Sequence, residues 1–95
     1  MSTILVVTWR AREGEEERVA EVLRHLVPAT RAEPGCEHYY AHRSKEDPRD
    51  FVLYERYRDD DAFQAHQDSE HFQKWVVSEG IPRLERRVRS FYEDL

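Results

Sequence analysis

The segment of residues 3–9, TILVVTW, constrains the fold of this chain more than any other feature. It is a near-continuous run of apolar and β-branched residues, which is the pattern of a β-strand buried on both faces. A chain of 95 residues forms one small core, because a domain of this size buries only about 60 to 65% of its extended surface. We therefore predict a single domain over residues 1–95, with part of the cover supplied by a partner chain.

A helix and a hairpin are predicted after this strand. Apolar residues recur at helical spacing within 15–32, which predicts a helix with one apolar face. Aromatic and β-branched runs over 36–43 and 51–58 flank the polar loop SKEDPRD, whose turn signal is Asp47-Pro48. These two runs are predicted to form an antiparallel hairpin.

The remaining third of the chain predicts two short helices and a last strand. Asp68-Ser69 offers a helix cap inside an otherwise helical stretch, so we predict separate helices near 60–67 and 70–79, followed by a strand over 86–93. The order of elements is that of the α+β ferredoxin-like fold, a split βαβ arrangement with helices on one face of a four-stranded sheet. Strands 3–9 and 51–58 do not alternate as a one-sided sheet does, which predicts a homodimer with the two sheets packed together.

Composition excludes several classes of partner. The net charge of −5 disfavours nucleic acid, whose affinity for proteins comes mainly from phosphate neutralisation. No apolar run approaches the roughly 18 residues of a membrane span. Cys36 is the single cysteine, and the absence of an intrachain disulfide fits a cytoplasmic protein. With three glycines there is no GxGxxG loop for a nucleotide or flavin cofactor.

The five histidines do not form a metal motif in the sequence. His38 and His42 lie on one strand face about 13 Å apart at roughly 3.3 Å per residue, too far for one ion. The chain has neither an HExxH sequence nor a cysteine pair, which are the usual signals of a zinc site. We therefore predict no metal.

Three segments carry a resemblance to a known family. EPGCEHY (33–39), FVLYERY (51–57) and AFQAHQDSEHF (62–72) occur in the order and spacing of the antibiotic biosynthesis monooxygenase family, which the chain resembles over essentially its whole length. The resemblance implies a dimeric α+β barrel of ferredoxin-like protomers with a substrate pocket between helices and sheet. It also implies oxygenation of a phenol, hydroquinone or polyketide anthrone, often without a cofactor.

His66 and His71 are the leading catalytic candidates. On one unbroken helix, five residues correspond to a turn of about 140° at roughly 100° per residue, so the pair would not share a face. A break at Asp68-Ser69 lets both approach one cleft. One of them then acts as a general base on a phenolic proton, because imidazole accepts protons near neutral pH; the alternative is a helix-capping or core role.

Glu55 is an acid in an otherwise apolar and aromatic strand, where a charge is costly unless it is paired. It is predicted to orient a histidine in the catalytic set, or alternatively to form a structural ion pair. Five aromatic residues are predicted to bind a flat substrate, although aromatics at such spacing also build cores. They are Tyr40, Tyr54, Phe63, Phe72 and Trp75.

The combined hypothesis is a cofactor-independent monooxygenase whose substrates are dioxygen and a small aromatic compound. A pocket lined by Tyr40, Glu55, His66, His71 and Trp75 would deprotonate the substrate and exclude water.

Two alternatives remain open. The basic residues of 83–89 suit a phosphate or carboxylate, which favours a non-oxidative isomerase of a phosphorylated or carboxylated ketone. The second alternative is a ligand-binding dimer that catalyses no reaction.

Overall fold

The computed structural model describes residues 1–95 and confirms the predicted order of elements. Four strands and three helices make up the domain. The third helix has π-type hydrogen bonding, and a short 3₁₀ turn at Ile81–Arg83 follows it. No helix is both long and apolar enough to cross a membrane. The elements are β1 (Thr3–Ala11), α1 (Glu16–Arg31), β2 (Cys36–Arg43), β3 (Asp50–Tyr57), α2 (Asp60–Asp68), α3 (Phe72–Gly80) and β4 (Leu84–Tyr92).

The sheet has the strand order β2-β3-β1-β4 with every neighbouring pair antiparallel. This is the ferredoxin-like arrangement that the sequence predicts. In β1 and β3 the odd-numbered residues face the helices, because side chains alternate along a strand. Leu5 and Trp9 of β1 and Leu53 of β3 are consequently buried in one core with residues of α1 such as Leu26.

The even-numbered residues of the central strands lie on the other face of the sheet, which no helix covers. Val6, Tyr54 and Tyr40 form one cross-strand row, because Val6 pairs with Tyr54 and Tyr54 with Tyr40. Tyr40 and Tyr54 are 43% and 37% exposed. The face is thus rich in apolar and aromatic side chains although it is open in the single chain.

The turn between α1 and β2 is packed directly against α2. The N–H of Cys36 donates to the carbonyl oxygen of Glu33, and the N–H of Arg58 donates to that of Gly35. A Cβ atom at Gly35 would lie 2.4 Å from the Cβ of Ala62 in α2, well inside van der Waals contact. Only glycine at position 35 therefore lets α2 approach the turn that carries Glu33.

The helical stretch after β3 breaks at Ser69, as the sequence predicts. Ser69 has extended backbone angles, φ −67° and ψ 153°. Its hydroxyl donates to the carbonyl oxygen of His66 at 2.7 Å and accepts from the N–H of Phe72 at 3.2 Å. One side chain thus pairs with a backbone carbonyl at the end of one helix and a backbone N–H at the start of the next. The chain direction changes between His66 and His71.

The close approach at Gly35 leads to a stability prediction. Gly35→Ala should lower the free energy of unfolding by roughly 1–3 kcal/mol, the usual cost of overpacking a well-filled site. Urea unfolding followed by circular dichroism measures this change. Lys45→Ala in the exposed hairpin loop serves as the control and should change stability by less than about 0.5 kcal/mol. An equally small effect of Gly35→Ala would contradict the packing argument.

Candidate active site

Three side chains from distant parts of the chain meet between the α1–β2 turn and the break at Ser69. The Oε2 atom of Glu33 lies 2.8 Å from Nδ1 of His66 and 2.5 Å from Nε2 of His71. His66 comes from the last turn of α2, and His71 directly precedes α3. The break at Ser69 therefore brings both imidazoles to one carboxylate oxygen.

His66 is enclosed by aromatic rings. Its side chain is 2% exposed, and its ring centroid lies 5.0 Å from that of Tyr57 and 5.1 Å from that of Phe72, whose ring presents its edge. Tyr39 follows at 5.7 Å. Water is thereby excluded from most of the imidazole, which strengthens the electrostatic effect of the neighbouring Glu33.

Glu55 faces the second ring nitrogen of His66. Its Oε1 atom lies 4.0 Å from His66 Nε2 and accepts a hydrogen bond from the Tyr57 hydroxyl at 2.7 Å. Burial raises the pKa of the Glu55 carboxyl, while the Tyr57 hydrogen bond and the charge of His66 oppose that rise. Glu55 therefore lies beside a histidine and forms no ion pair with an arginine. Its role in orienting that histidine remains a prediction.

A small cavity lies between His66, Glu55 and strand β4. Its volume is about 10 Å³, close to the minimum that holds one water molecule. Two of its lining residues, Trp9 and Arg87, each have a buried nitrogen without a hydrogen-bond partner, namely Nε1 and Nε. An unpaired buried donor is costly, so an acceptor oxygen bound beside these two nitrogens would remove that cost.

Two of the five predicted aromatic contacts lie beside this cavity. Phe63 and Phe72 both line it and both neighbour His66, at 6.4 Å and 5.1 Å between ring centroids. Their role as substrate contacts remains a prediction.

The predicted placement of the other three aromatics in the same pocket is wrong. Tyr40 and Tyr54 project from the uncovered face of the sheet, because their even register places them opposite to Glu55 and the helices. Trp75 lies outside the cavity and stacks on His25 of α1, with centroids 4.4 Å apart and planes 3° from parallel. The winding of α3 directs Phe72 and Val76, rather than Trp75, to the cavity.

Glu33 is the central residue of the cluster, and the sequence analysis did not identify it. The predicted helix ends at residue 32, so EPG at 33–35 was placed in no predicted element or site. A hydrogen bond between residues 33 positions apart has no periodic signal in a sequence. The one indication was that Glu33 begins a segment resembling the family.

The cluster also has the composition of a metal site. One ligand atom from each of Glu33, His66 and His71 lies within 4.8 Å of the others, although the spacing of the histidines predicted no metal. Two imidazoles and one carboxylate are a common ligand set for divalent transition metals. In the structure the same atoms hydrogen-bond one another.

Larger depressions exist elsewhere but lack such a cluster. One of about 350 Å³ lies between α1 and the β2–β3 edge, with Leu23, Val27 and Phe51 among its walls and Arg24 and Arg43 at its rim. Both arginines already form ion pairs with glutamates. This groove therefore has no unpaired charged group among the residues named here and no cluster of titratable side chains.

The burial of Glu55 predicts a pH dependence of stability. Below the ordinary glutamate pKa of 4.5 the carboxyl is protonated in both states. As the pH rises, the unfolded chain loses this proton first, because the folded pKa is raised, so stability falls until the pH passes the folded value. Glu55→Gln stays neutral and keeps an acceptor for Tyr57, so its melting temperature relative to that of the wild type should rise from pH 4.5 until the pH passes the raised pKa of Glu55, and should stay level above it.

Thermal unfolding by circular dichroism across this pH range tests the prediction. Glu93→Gln replaces a glutamate near the exposed C-terminus and should give a pH-independent difference from the wild type. A Glu55→Gln difference that does not grow with pH would show that burial of the carboxylate carries no cost.

Comparison with known proteins agrees with the fold. A family model described as antibiotic biosynthesis monooxygenase matches residues 2–78. A solved structure from Pseudomonas aeruginosa is 32% identical with a TM-score of 0.93, over 99% of this chain and 94% of that one. A candidate antibiotic biosynthesis monooxygenase from Nitrosomonas europaea is 25% identical with a TM-score of 0.91, over 99% and 90% of the two chains.

A Mycobacterium tuberculosis structure is also 25% identical, with a TM-score of 0.90 over 100% of this chain and 96% of that one. A search of curated proteins found no match. The family model and these similarities support a general monooxygenase-like role. The family model matches most of the chain, and the Pseudomonas protein is similar over nearly the whole length of both chains. The chain therefore belongs to the antibiotic biosynthesis monooxygenase family.

Proposed function

We propose that the protein is a cofactor-independent monooxygenase of a small aromatic hydroquinone, phenol or polyketide-type compound, and that His66 accepts the acidic proton of the substrate. The observation that carries the proposal is the hydrogen bond between Glu33 and Nδ1 of His66 in an enclosed aromatic site. Family membership supports the reaction class, and the geometry supports the role of His66.

The bond to Glu33 supports the tautomer of His66 that this role requires. An ionised carboxylate only accepts hydrogen bonds, so Nδ1 of His66 carries the proton that lies between them. A neutral imidazole then has its lone pair on Nε2, the atom on the Glu55 side. Glu33 thus orients the base in the way that the aspartate of a catalytic triad orients its histidine.

Deprotonation prepares the substrate for reaction with dioxygen. Transfer of a phenolic or enolic proton to Nε2 gives an imidazolium, whose charge the Glu33 carboxylate stabilises. The electron-rich organic anion then reduces dioxygen. One oxygen atom enters the substrate and the other leaves as water with the two hydrogens that the substrate loses, so the substrate supplies all four electrons that reduce dioxygen and no external reductant is consumed.

The opposite wall of the cavity supports binding of the developing oxyanion. Nε1 of Trp9 and Nε of Arg87 are buried donors without acceptors, and both residues line the cavity. A substrate oxygen placed against them would satisfy these groups. The present volume of about 10 Å³ does not admit a ring, so we infer that the more exposed wall residues, Arg89 and Phe72, move when substrate enters.

A second candidate function follows from the charge of this wall. Arg87 and Arg89 line the cavity, and neither has a carboxylate within 4.0 Å, although eight other arginines form ion pairs. Two unpaired guanidinium groups suit a phosphate or carboxylate. They favour the isomerase of a phosphorylated or carboxylated ketone, in which His66 and Glu55 would move protons without consuming oxygen.

We further propose that the functional unit is a homodimer formed through the uncovered face of the sheet. Tyr40, Val52 and Tyr54 on this face are between 37% and 43% exposed in the single chain. A contiguous exposed apolar surface of this kind is typical of an interaction site. Packing against the same face of a second copy would bury it and complete a two-layered barrel.

The base hypothesis predicts the behaviour of two variants. Both His66→Ala and Glu33→Gln should lower the rate of oxygen uptake about 10²- to 10⁴-fold, the usual contribution of a general base, because the first removes the base and the second permits the wrong tautomer. An oxygen electrode with a panel of hydroquinones and anthrones measures the rates. Circular dichroism checks that each variant is folded.

The matched control is the exposed pair His25 and Glu21, whose side chains lie 3.4 Å apart on α1. His25→Gln and Glu21→Gln should retain the wild-type rate. A folded His66→Ala protein with full activity would remove His66 from the mechanism. If no member of the panel causes oxygen uptake by the wild type while a ketone exchanges protons with heavy water, the isomerase becomes the better description.

The dimer hypothesis makes a separate prediction. Tyr54→Glu would place a charge in the middle of the Val6–Tyr54–Tyr40 row, where burial without a partner is costly. Light scattering coupled to size exclusion should then give the mass of one chain, 11.5 kDa, where the wild type gives twice that mass. Tyr54→Phe keeps the ring and should remain dimeric. A monomeric wild type at micromolar concentration would refute the proposal.

A further inference from the structure

We propose that Glu33, His66 and His71 bind a divalent transition metal ion of the Zn²⁺ type, and that the bound ion prevents His66 from accepting a proton. The blocking effect rests on the proposed function, whereas the binding itself does not. The three ligand atoms come from three separate parts of the fold and lie within 4.8 Å of one another. Two imidazoles with one carboxylate form the protein ligand set of several zinc sites that keep a fourth position open.

The distances permit such a site after a small rearrangement. A tetrahedral ion with bonds of roughly 2.0–2.1 Å holds its ligand atoms about 3.3 Å apart. Oε2 of Glu33 now lies 2.8 Å from His66 Nδ1 and 2.5 Å from His71 Nε2, so each separation must increase by less than about 1 Å. His71 is 23% and Glu33 14% exposed at the side chain, which leaves them room to move while buried His66 stays in place.

The surroundings resemble those of a metal site in two further respects. A metal-bound histidine usually directs its other ring nitrogen to a carboxylate, and Nε2 of His66 lies 4.0 Å from Oε1 of Glu55. An ion also needs a path from solvent. Glu33, Asp61 and Arg58 line an open depression of about 380 Å³ beside the turn. Because Arg58 forms an ion pair with Asp59 at 3.6 Å, the carboxylates of Glu33 and Asp61 would still attract a cation.

Metal binding and the base function exclude each other because they require different tautomers. In the proposed base function Nδ1 of His66 carries a proton that it donates to Glu33, 2.8 Å away, and Nε2 keeps its lone pair. An ion on Nδ1 uses that lone pair, so the proton of the neutral ring must lie on Nε2. Nε2 then faces Glu55 as a donor and has no lone pair for the substrate. A metal on this cluster would therefore act as a reversible inhibitor.

Direct binding measurements test the site without any substrate. Isothermal titration calorimetry with Zn²⁺ should give one ion per chain, and the visible spectrum of the Co²⁺ form should be that of a four-coordinate ion. His71→Gln should weaken Zn²⁺ binding at least about 10-fold. The control His25→Gln removes a histidine that also lies beside a glutamate and should leave the affinity unchanged.

Nitrogen-15 NMR of the histidine rings separates this proposal from the proposed function. His66 should be protonated at Nδ1 in the metal-free protein and at Nε2 after addition of Zn²⁺. Absence of stoichiometric binding, equal affinity of His71→Gln and wild type, or a His66 ring that stays protonated at Nδ1 after addition of Zn²⁺ would each overturn the metal proposal. Protonation at Nε2 already in the metal-free protein would instead refute the assigned base while leaving the binding result intact.

Discussion

The hydrogen bond between Glu33 and His66 is the interaction on which the site depends. It joins the α1–β2 turn to the end of α2, and it forms only because Gly35 lets α2 approach that turn closely. The same carboxylate oxygen accepts from His71, which lies within reach because Ser69 interrupts the helix. Two local features, a glycine without a side chain and a serine with a capping hydroxyl, thus determine where the titratable groups meet.

The polar groups around the cavity are divided between two walls. On the histidine wall every donor has a partner, since both imidazoles donate to Glu33 and Tyr57 donates to Glu55. On the β1–β4 wall the nitrogens of Trp9 and Arg87 have none. Buried donors are normally paired, so this asymmetry indicates where a ligand oxygen belongs. Under the proposed function, a substrate would lie with its acidic proton toward His66 and its developing oxyanion toward the unpaired donors.

The sequence predicts the elements of this fold better than it predicts the site. Runs of β-branched and aromatic residues predicted β1 and the β2–β3 hairpin, apolar periodicity predicted α1, and the capping residues predicted the break at Asp68-Ser69. The role of Glu33 was not predicted because its partners lie far along the chain, and no local sequence pattern indicates such a contact. Tyr40 and Tyr54 were assigned to the wrong face because both faces of these strands carry aromatic residues, so alternation does not reveal which side meets the helices.

Both imidazoles lie beside one oxygen of Glu33, so the charge of this carboxylate affects which ring nitrogen of His66 carries the proton. An ionised Glu33 that accepts from both His66 and His71 has two donors to stabilise its charge, and hydrogen bonds to a charged acceptor are the strong ones. Under the proposed function, the proton between Glu33 and His66 lies on Nδ1. His71, whose ring nitrogen contacts the same carboxylate oxygen, would then act through Glu33 on the tautomer of His66 rather than on the substrate.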